Sequence, residues 1–542
     1  MESDLYNILP HSPLPKGGAE EVGNKAWNLM RMAAAGLLVP AAFVLPTVWC
    51  RRVRAQSEDS GFEGTLSSGI ATLETATGLG FGSPRRPLLV SVRSGAAVSM
   101  PGMMETVLNI GMNSETVEGL IGCTGNPRLA WDCYRRLVQG YAAVVQGLPR
   151  GAFDELVAGA LARAGVEAER ELDYDNLRRL TSDFLDRFRE LAGIPFPDDP
   201  REQLRRATVA VFRSWDAPKA VTYREANGIG HDGGTAATVQ RMVFGNAGGS
   251  SGAGVAFTRN PATGAPELYL DFEFNAQGED VVAGRLIAHG ERRLRRTLPS
   301  VWAQLEEAGH KLEALFHDAQ DFEFSLQSGM LYLLQSRSAK RTPWATLRIA
   351  VDQVDEGLIS PSEALSRLAQ VNLGSVVRTR LADPTIAPLA HALVAGIGVA
   401  SGAIALDSET AIRMAHAERP VILVRRETDA ADISGMMSAT GILTAAGSRT
   451  SHAAVVARQL GKVCLVGCPN LEIDLRQRFC RIGGKTMREG EFLSLDGNHG
   501  GVYAGKLEVV TERPERELAR IEGWQASTVL DCTLMPVLQA GQ

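Results

Sequence analysis

A multidomain fold of mixed α/β class, with α+β character, is what the sequence predicts, and three observations predict it. The chain has 542 residues, a length that suggests roughly three to four domains. Short apolar, β-rich runs recur along it between longer segments of helical period. Hydrophobic residues make up 45% and charged residues 22%, the proportions of a globular protein with enough apolar side chains for several cores. Lys+Arg number 56 against 62 Asp+Glu, a net charge of −6, so no basic field points to a nucleic-acid or anionic-membrane partner, and neither is expected. The seven cysteines include no CxxC pair and fit reduced thiols in a cytoplasm better than a disulfide framework.

The elements follow in order. Residues 32–50 carry no charge, yet Gly36, Pro40 and Pro46 interrupt the run. A spanning helix needs about 20 continuous apolar residues. The stretch therefore reads as a helix end, a stop at Gly36 and a buried strand over 42–45. No basic region followed by an apolar core opens the chain, so an intracellular soluble protein is expected. Residues 88–92 read as a short strand leading into Arg93-Ser94-Gly95. Helical period with mixed charge then runs over 126–148, 153–165 and 172–192, until Pro195, Pro197 and Pro200 end the block. Strands and turns return from about 205 to 340. Residues 342–385 read as helical, with Pro343 and Pro361 as starts. A last αβ unit spans about 388–507, with strands near 420–424 and 463–466. The tail, 508–542, reads as a helical fragment without a core.

Four features carry candidate chemistry, and each admits a plain alternative. The glycine-dense stretch 245–254 (GNAGGSSGAG) lets backbone N–H groups approach a phosphate, or is a flexible surface hairpin. No GxxxxGK[ST] motif is present, so this is not a P-loop. Residues 321–326 (DFEFSL) alternate strictly, placing Asp321 and Glu323 on one face of a half-buried strand. A turn through Ser328-Gly329 leads to a second strand over 331–337, in which Glu323 and Gln335 can lie opposite each other with Arg337 two along. Carboxylate and amide oxygens suit Mg²⁺ beside nucleotide phosphates; the alternative is a solvated sheet face with a cross-strand ion pair. Thr450 or Ser451 can cap a helical run, placing His452 in its first turn, where the helix dipole favours an anion and a neutral imidazole can accept a phosphoryl group. A histidine that only assists the cap is the alternative. Lys25 and Arg93 are isolated cations beside backbone turns, open to phosphate contact or plain surface charge.

Together the pieces resemble a family. Residues 91–111 (SVRSGAAVSMPGMMETVLNIG), 211–224 (VFRSWDAPKAVTYR), 254–264 (GVAFTRNPATG), 275–284 (NAQGEDVVAG) and 450–458 (TSHAAVVAR) are similar to the corresponding stretches of pyruvate, phosphate dikinases. The order and spacing agree from about residue 15 to about 515. The MPGMMET segment separates the chain from the related pyruvate, water dikinases. The resemblance implies an ATP-grasp nucleotide-binding domain over 1–340 with a helical insertion near 114–200, and a helical linker over 341–387. It further implies a swivelling phosphohistidine domain over 388–507 and a linker remnant over 508–542. ATP and Mg²⁺ are the implied substrate and cofactor. ATP would phosphorylate the histidine with consumption of inorganic phosphate, releasing AMP and pyrophosphate. By the same resemblance, Lys25 and Arg93 correspond to the lysine and arginine that hold ATP phosphates. Asp321, Glu323, Gln335 and Arg337 correspond to the γ-phosphate and metal site, with Glu323 and Gln335 as metal ligands. His452 corresponds to the phosphorylated histidine, and Thr450 to a threonine that is a regulatory target in plant members. His452 and Arg337 are the expected catalytic pair.

Two departures stand out. Where the family reads ARGGMTSH, this chain has Ala446, Ser448 and Arg449 in place of the arginine, second glycine and methionine. Arg449 either restores a positive charge from a new position or marks a drifted loop. After residue 507 only 35 residues follow, whereas a (β/α)₈ barrel takes at least about 200. The expectation is therefore a half-cycle enzyme in which a separate PEP/pyruvate-binding chain, or another small-molecule acceptor, takes the phosphoryl group. The rival is a non-catalytic nucleotide-binding remnant, against which Lys25, Arg93, Asp321, Glu323, Gln335, Arg337 and His452 all stand intact.

Overall fold

The computed structural model describes residues 4–55, 60–98, 100, 103–278, 281, 290–447, 449 and 451–534. The chain divides into two compact units: the residues up to Ser251 together with Ser325–Ser336, and Gly252–Phe324 together with Arg337 onward.

In the first unit the uncharged run breaks where its glycine and prolines predict. The helix Asn24–Ala34 ends, Gly36 adopts a φ of 76° open to glycine, and Ala42–Leu45 is a strand with all four residues buried. That strand sits second in a five-stranded sheet ordered Tyr6–Ile8, Ala42–Leu45, Ala236–Arg241, Val90–Gly95, Thr106–Ile110, with every neighbouring pair antiparallel. The register sets Arg93 opposite Thr238. The expected helices appear as Pro127–Val145, Gly151–Ala164 and Tyr174–Ala192. Asn126 and Asp173 cap two of them, and left-handed Gly165 and Gly193 end two. The insertion has no separate core. Leu137, Phe184 and Phe188 belong to the same apolar cluster as Phe43 and Val92 of the sheet. Asp132 is buried there with Arg135 at 2.8 Å and Arg136 at 3.0 Å.

In the second unit Gly252–Phe257 pairs antiparallel with Tyr269–Phe274, setting Gly254 against Phe272. These two strands belong to a four-stranded sheet ordered Met330–Ser338, Gln320–Gln327, Gly252–Phe257, Tyr269–Phe274. The glycine-dense stretch is thus half strand. A Cβ on Gly252 would fall 2.2 Å from the Phe272 ring and one on Gly254 2.4 Å from the Phe324 ring, and these two rings stack 5.9 Å apart. These two glycines make room for phenyl rings, which corrects both readings of the stretch at those positions.

The αβ part is an eight-stranded sheet. Its centre, Val399–Ala405, Val421–Arg425, Gly441–Thr444 and Val463–Val466, is parallel. The helices Ser408–His416, Ile433–Ser438 and His452–Gln459 cross between those strands. Parallel strands need such crossovers, and they leave helix N-termini at the strands' C-terminal edge.

Two expectations fail between these parts. Helices start at Pro343 and Pro361 as read, with Thr342 and Ser360 as their caps, but the second ends at Leu368. A strand, Arg378–Leu381, follows and pairs with Val509–Glu512. The tail is also not coreless, because Leu518, Ile521 and Trp524 are buried with Leu347, Val351 and Leu368. The apolar face of a helix whose partner lies some 160 residues away has no local signature. Among the described residues no helix is long and apolar enough to cross a membrane.

Candidate active site

The first unit brings Lys25 and Arg93 to one corner. Gly23, just before the Lys25 helix, has φ 77° and ψ 151°, a conformation only glycine holds comfortably. A Cβ there would lie 2.0 Å from the Gly95 carbonyl oxygen. The next residue donates its backbone N–H to the Ala96 carbonyl at 2.9 Å. This close approach sets Lys25 beside the strand that carries Arg93. Both elements are also fixed to the strand that carries Gln335. Arg93 Nη1 donates to the Leu334 carbonyl at 3.4 Å, and Asn28 Nδ2, on the Lys25 helix, to the Ser336 carbonyl at 2.9 Å. Gln335, between those two residues, is half-buried.

In the second unit Asp321 and Arg337 meet across the hairpin, Nε to Oδ2 at 2.8 Å. The turn forms at Ser328 and Gly329, both with positive φ, the two-residue type that suits the twist of a hairpin. Sequence reading made this strand half-buried and left its acidic face open to two readings, a Mg²⁺ site or a solvated face with a cross-strand ion pair. Instead Asp321 is 6% exposed and only Glu323 and Gln327 reach intermediate exposure. Burial pushes the Asp321 carboxyl up from its ordinary range, while Arg337 acts in the opposite direction. Its Oδ1 has no hydrogen-bond partner among the described residues. A buried carboxylate oxygen without a partner, two residues from the carboxylate of Glu323, fits a hard cation that seeks oxygen ligands. Among the described residues no cluster of three or more His, Cys, Asp or Glu could hold a metal unaided.

His452 is the first residue of the helix His452–Gln459. Thr428 Oγ1 lies 3.1 Å from its Nδ1. If Nδ1–H donates to that hydroxyl, the Nε2 lone pair is left free for a nucleophilic role. Ser451 occupies the cap position, but its hydroxyl makes no cap hydrogen bond, is buried and has no partner among the described residues. Gly447, at φ 112°, keeps the loop close, since a Cβ there would lie 3.0 Å from Ser451 Oγ. Thr450 and Ser448 lie outside the described residues. Arg449 does not direct its charge at His452: its guanidinium faces Glu291 and Tyr269.

Sequence reasoning missed three residues. Thr428, 24 positions before His452, carries no signal in the sequence. Arg458 lies inside the TSHAAVVAR stretch and is 3% exposed, with its charge acting on Asp321. Tyr269 lies on a strand that periodicity did not single out.

Comparison with known proteins adds to this geometry. Residues 50–301 match the family model described as pyruvate phosphate dikinase, AMP/ATP-binding domain, and residues 417–500 match the PEP-utilising enzyme, mobile domain. The pyruvate, phosphate dikinase of Rhizobium meliloti (strain 1021) is 42% identical over 532 residues, covering 94% of this chain and 59% of the relative. That of Clostridium symbiosum is 42% identical over 519 residues, covering 93% and 58%. Pyruvate, phosphate dikinase 2 of Zea mays is 40% identical over 514 residues, covering 94% and 58%. The chain thus spans somewhat under three fifths of the length of these relatives.

Proposed function

We propose that this chain is a member of the pyruvate, phosphate dikinase family and an ATP-dependent phosphotransferase whose phosphoryl carrier is His452; the two family-model matches and the 42% identity to such an enzyme support the reading. In this reading an ATP-grasp domain, with its helical insertion, binds the nucleotide, and a swivelling domain around 388–507 carries the histidine. ATP and inorganic phosphate are converted to AMP and pyrophosphate as one phosphoryl group is left on the imidazole. The acceptor is pyruvate, giving phosphoenolpyruvate, where a PEP/pyruvate-binding domain is within reach, or else another small molecule. A cytoplasmic setting is part of this reading; Cys50, Cys123, Cys133, Cys464, Cys468 and Cys480 are free thiols.

Phosphoryl transfer is chiefly positioning and charge neutralisation, and each residue has a part in that. Lys25 and Arg93, held together by the Gly23–Gly95 approach, neutralise phosphate oxygens. Arg337, oriented by Asp321, presents its remaining N–H groups to the γ-phosphate. Glu323 and Gln335 would hold Mg²⁺, completed by phosphate oxygens; when bound, the ion supplies charge neutralisation and orientation of the polyphosphate. Thr428 fixes the His452 ring, and the free N–H groups at the helix start favour the added negative charge.

The observation that most supports this reading is His452 at a helix N-terminus with Nδ1 engaged by Thr428 at 3.1 Å. The test is incubation of the purified chain with Mg²⁺, phosphate and ATP labelled in the β or γ position. An acid-labile, base-stable phosphoenzyme and matching AMP are expected. His452→Ala should bind ATP without becoming labelled. A wild-type chain that binds ATP but never labels would refute the reading and leave a nucleotide-binding remnant.

A further inference from the structure

Both ends of the His452 helix are hooked by an arginine. At the start, the Arg449 guanidinium lies 4.5 Å from the centroid of the Tyr269 ring, and its Nη1 reaches Glu291 Oε2 at 3.2 Å. Tyr269 is itself buried, and its hydroxyl donates to the carbonyl of Val394 on the strand Leu393–Gly396 of the eight-stranded sheet. One tyrosine of the strand Tyr269–Phe274 is therefore gripped on its face by Arg449 and at its tip by Val394. At the other end, Arg458 lies 5.4 Å from the Phe257 ring centroid and donates Nη1 to the Arg449 carbonyl at 2.9 Å. The two hooks thus seize Gly252–Phe257 and Tyr269–Phe274, and the first of these neighbours the strand that bears Asp321.

We propose that Arg449 is a positioning residue for His452: by clasping Tyr269 and Glu291 it holds the histidine helix against the sheet that carries Asp321. This rests on the assignment of His452 as phosphoryl carrier and adds to it the side chain that sets the carrier's place. Arginine suits the task, because its planar guanidinium can stack on a ring and donate to a carboxylate at once. The cation–π contact is made on a buried ring, where it counts for more than at an exposed site. The half-exposed Glu291 pair alone would contribute little. The methionine found at this position in the resembling sequences offers neither interaction. Both partners lie outside the αβ sheet that Arg449 belongs to, so the clasp bears on docking and not on the folding of that sheet.

The test uses the intact chain in two measurements. The first is hydrogen exchange of segments 269–274 and 449–458 without nucleotide. Arg449→Met should speed exchange in both by about fivefold, the loss of one partly buried cation–π contact, at unchanged Tm. Arg449→Lys, which keeps the charge but not the flat stack, should recover part of the protection. The second is single-turnover labelling of His452, in which Arg449→Met should lower the rate with ATP affinity unchanged. The paired reversal Arg449→Glu with Glu291→Arg should protect better than Arg449→Glu alone. Wild-type exchange in Arg449→Met overturns the proposal, and so does a loss of Tm or ATP binding in that variant, which would make Arg449 structural. A wild-type chain that does not label refutes the phosphoryl-carrier assignment instead; the exchange result then still decides whether the clasp exists.

Discussion

Replacing Gly23 by alanine should separate Lys25 from Arg93, the two cations proposed to hold phosphate, and the size of the effect can be worked from the structure. Gly23 has φ 77° and ψ 151°, a region that costs a residue with a Cβ of order 1–3 kcal/mol. The new Cβ would also sit 2.0 Å from the Gly95 carbonyl oxygen and 2.4 Å from its carbon. Those are backbone atoms, so no flexible side chain can give way, and overpacking of this kind costs about 1–3 kcal/mol more. Opening the contact to an ordinary separation moves the Lys25 helix away from the Arg93 strand by about 1 Å, a misplacement of the kind that can lower a rate about 100-fold. Gly36→Ala is the control, since φ there is 76° but nothing lies within 4 Å of its Cβ. It should carry strain of roughly 1–2 kcal/mol and leave nucleotide binding alone. Fluorescent-nucleotide titration and thermal unfolding, run on both variants, separate strain from clash. Gly23→Ala with wild-type nucleotide affinity and a Tm no lower than that of Gly36→Ala would refute the reasoning.

Three further outcomes are expected. Glu323→Ala and Gln335→Ala should each abolish Mg²⁺-dependent ATP turnover while leaving the far-ultraviolet circular dichroism unchanged; wild-type turnover at matched Mg²⁺ in either would remove that residue from the metal site. Asp132 is buried, which opposes ionisation, yet Arg136 and Arg135 hold its carboxyl below the usual carboxylate range. A depressed carboxyl adds stability above its unfolded value near 3.9 and loses it as pH falls through the lower folded value, so Asp132→Asn should cost about 3–5 kcal/mol at pH 7 and flatten the acid limb of a stability–pH curve below about pH 4; an unchanged acid limb counts against the pair. Ile521→Ala should cost about 2–5 kcal/mol and expose residues 341–387 to limited proteolysis, because Ile521 is fully buried among Leu347, Val351 and Leu368; an unaltered digestion pattern would deny the tail a core.

The boundary between what was legible in the sequence and what was not follows the range of the physical signals. Gly36, Pro343, Pro361 and the Ser328-Gly329 turn act through backbone angles of their own residues, so breaks, starts and turns could be placed from the chain alone. The alternation of residues 321–326 likewise fixed which side chains share a face, and the strand Ala42–Leu45 followed from the glycine and prolines that break one uncharged run. Burial is another matter, because it depends on what arrives from elsewhere. Asp321 reads as either a metal-site or a solvated carboxylate until the packed sheet removes it from water and leaves one oxygen without a partner among the described residues. The tail helix reads as coreless until Ile521 finds Leu347. Lys25 and Arg93 are unremarkable cations until Gly23 lets two backbones meet. Thr428 joins His452 across 24 residues, and Arg449 turns from His452 toward Tyr269 and Glu291, neither of which a local pattern announces. The sequence by itself determined most of the elements and which side chains carry candidate chemistry, since propensity, capping and side-chain chemistry are local. Only the tertiary structure decided which of those side chains are dry, which are paired and which face one another, since desolvation and hydrogen bonding between distant segments exist only once the segments have packed.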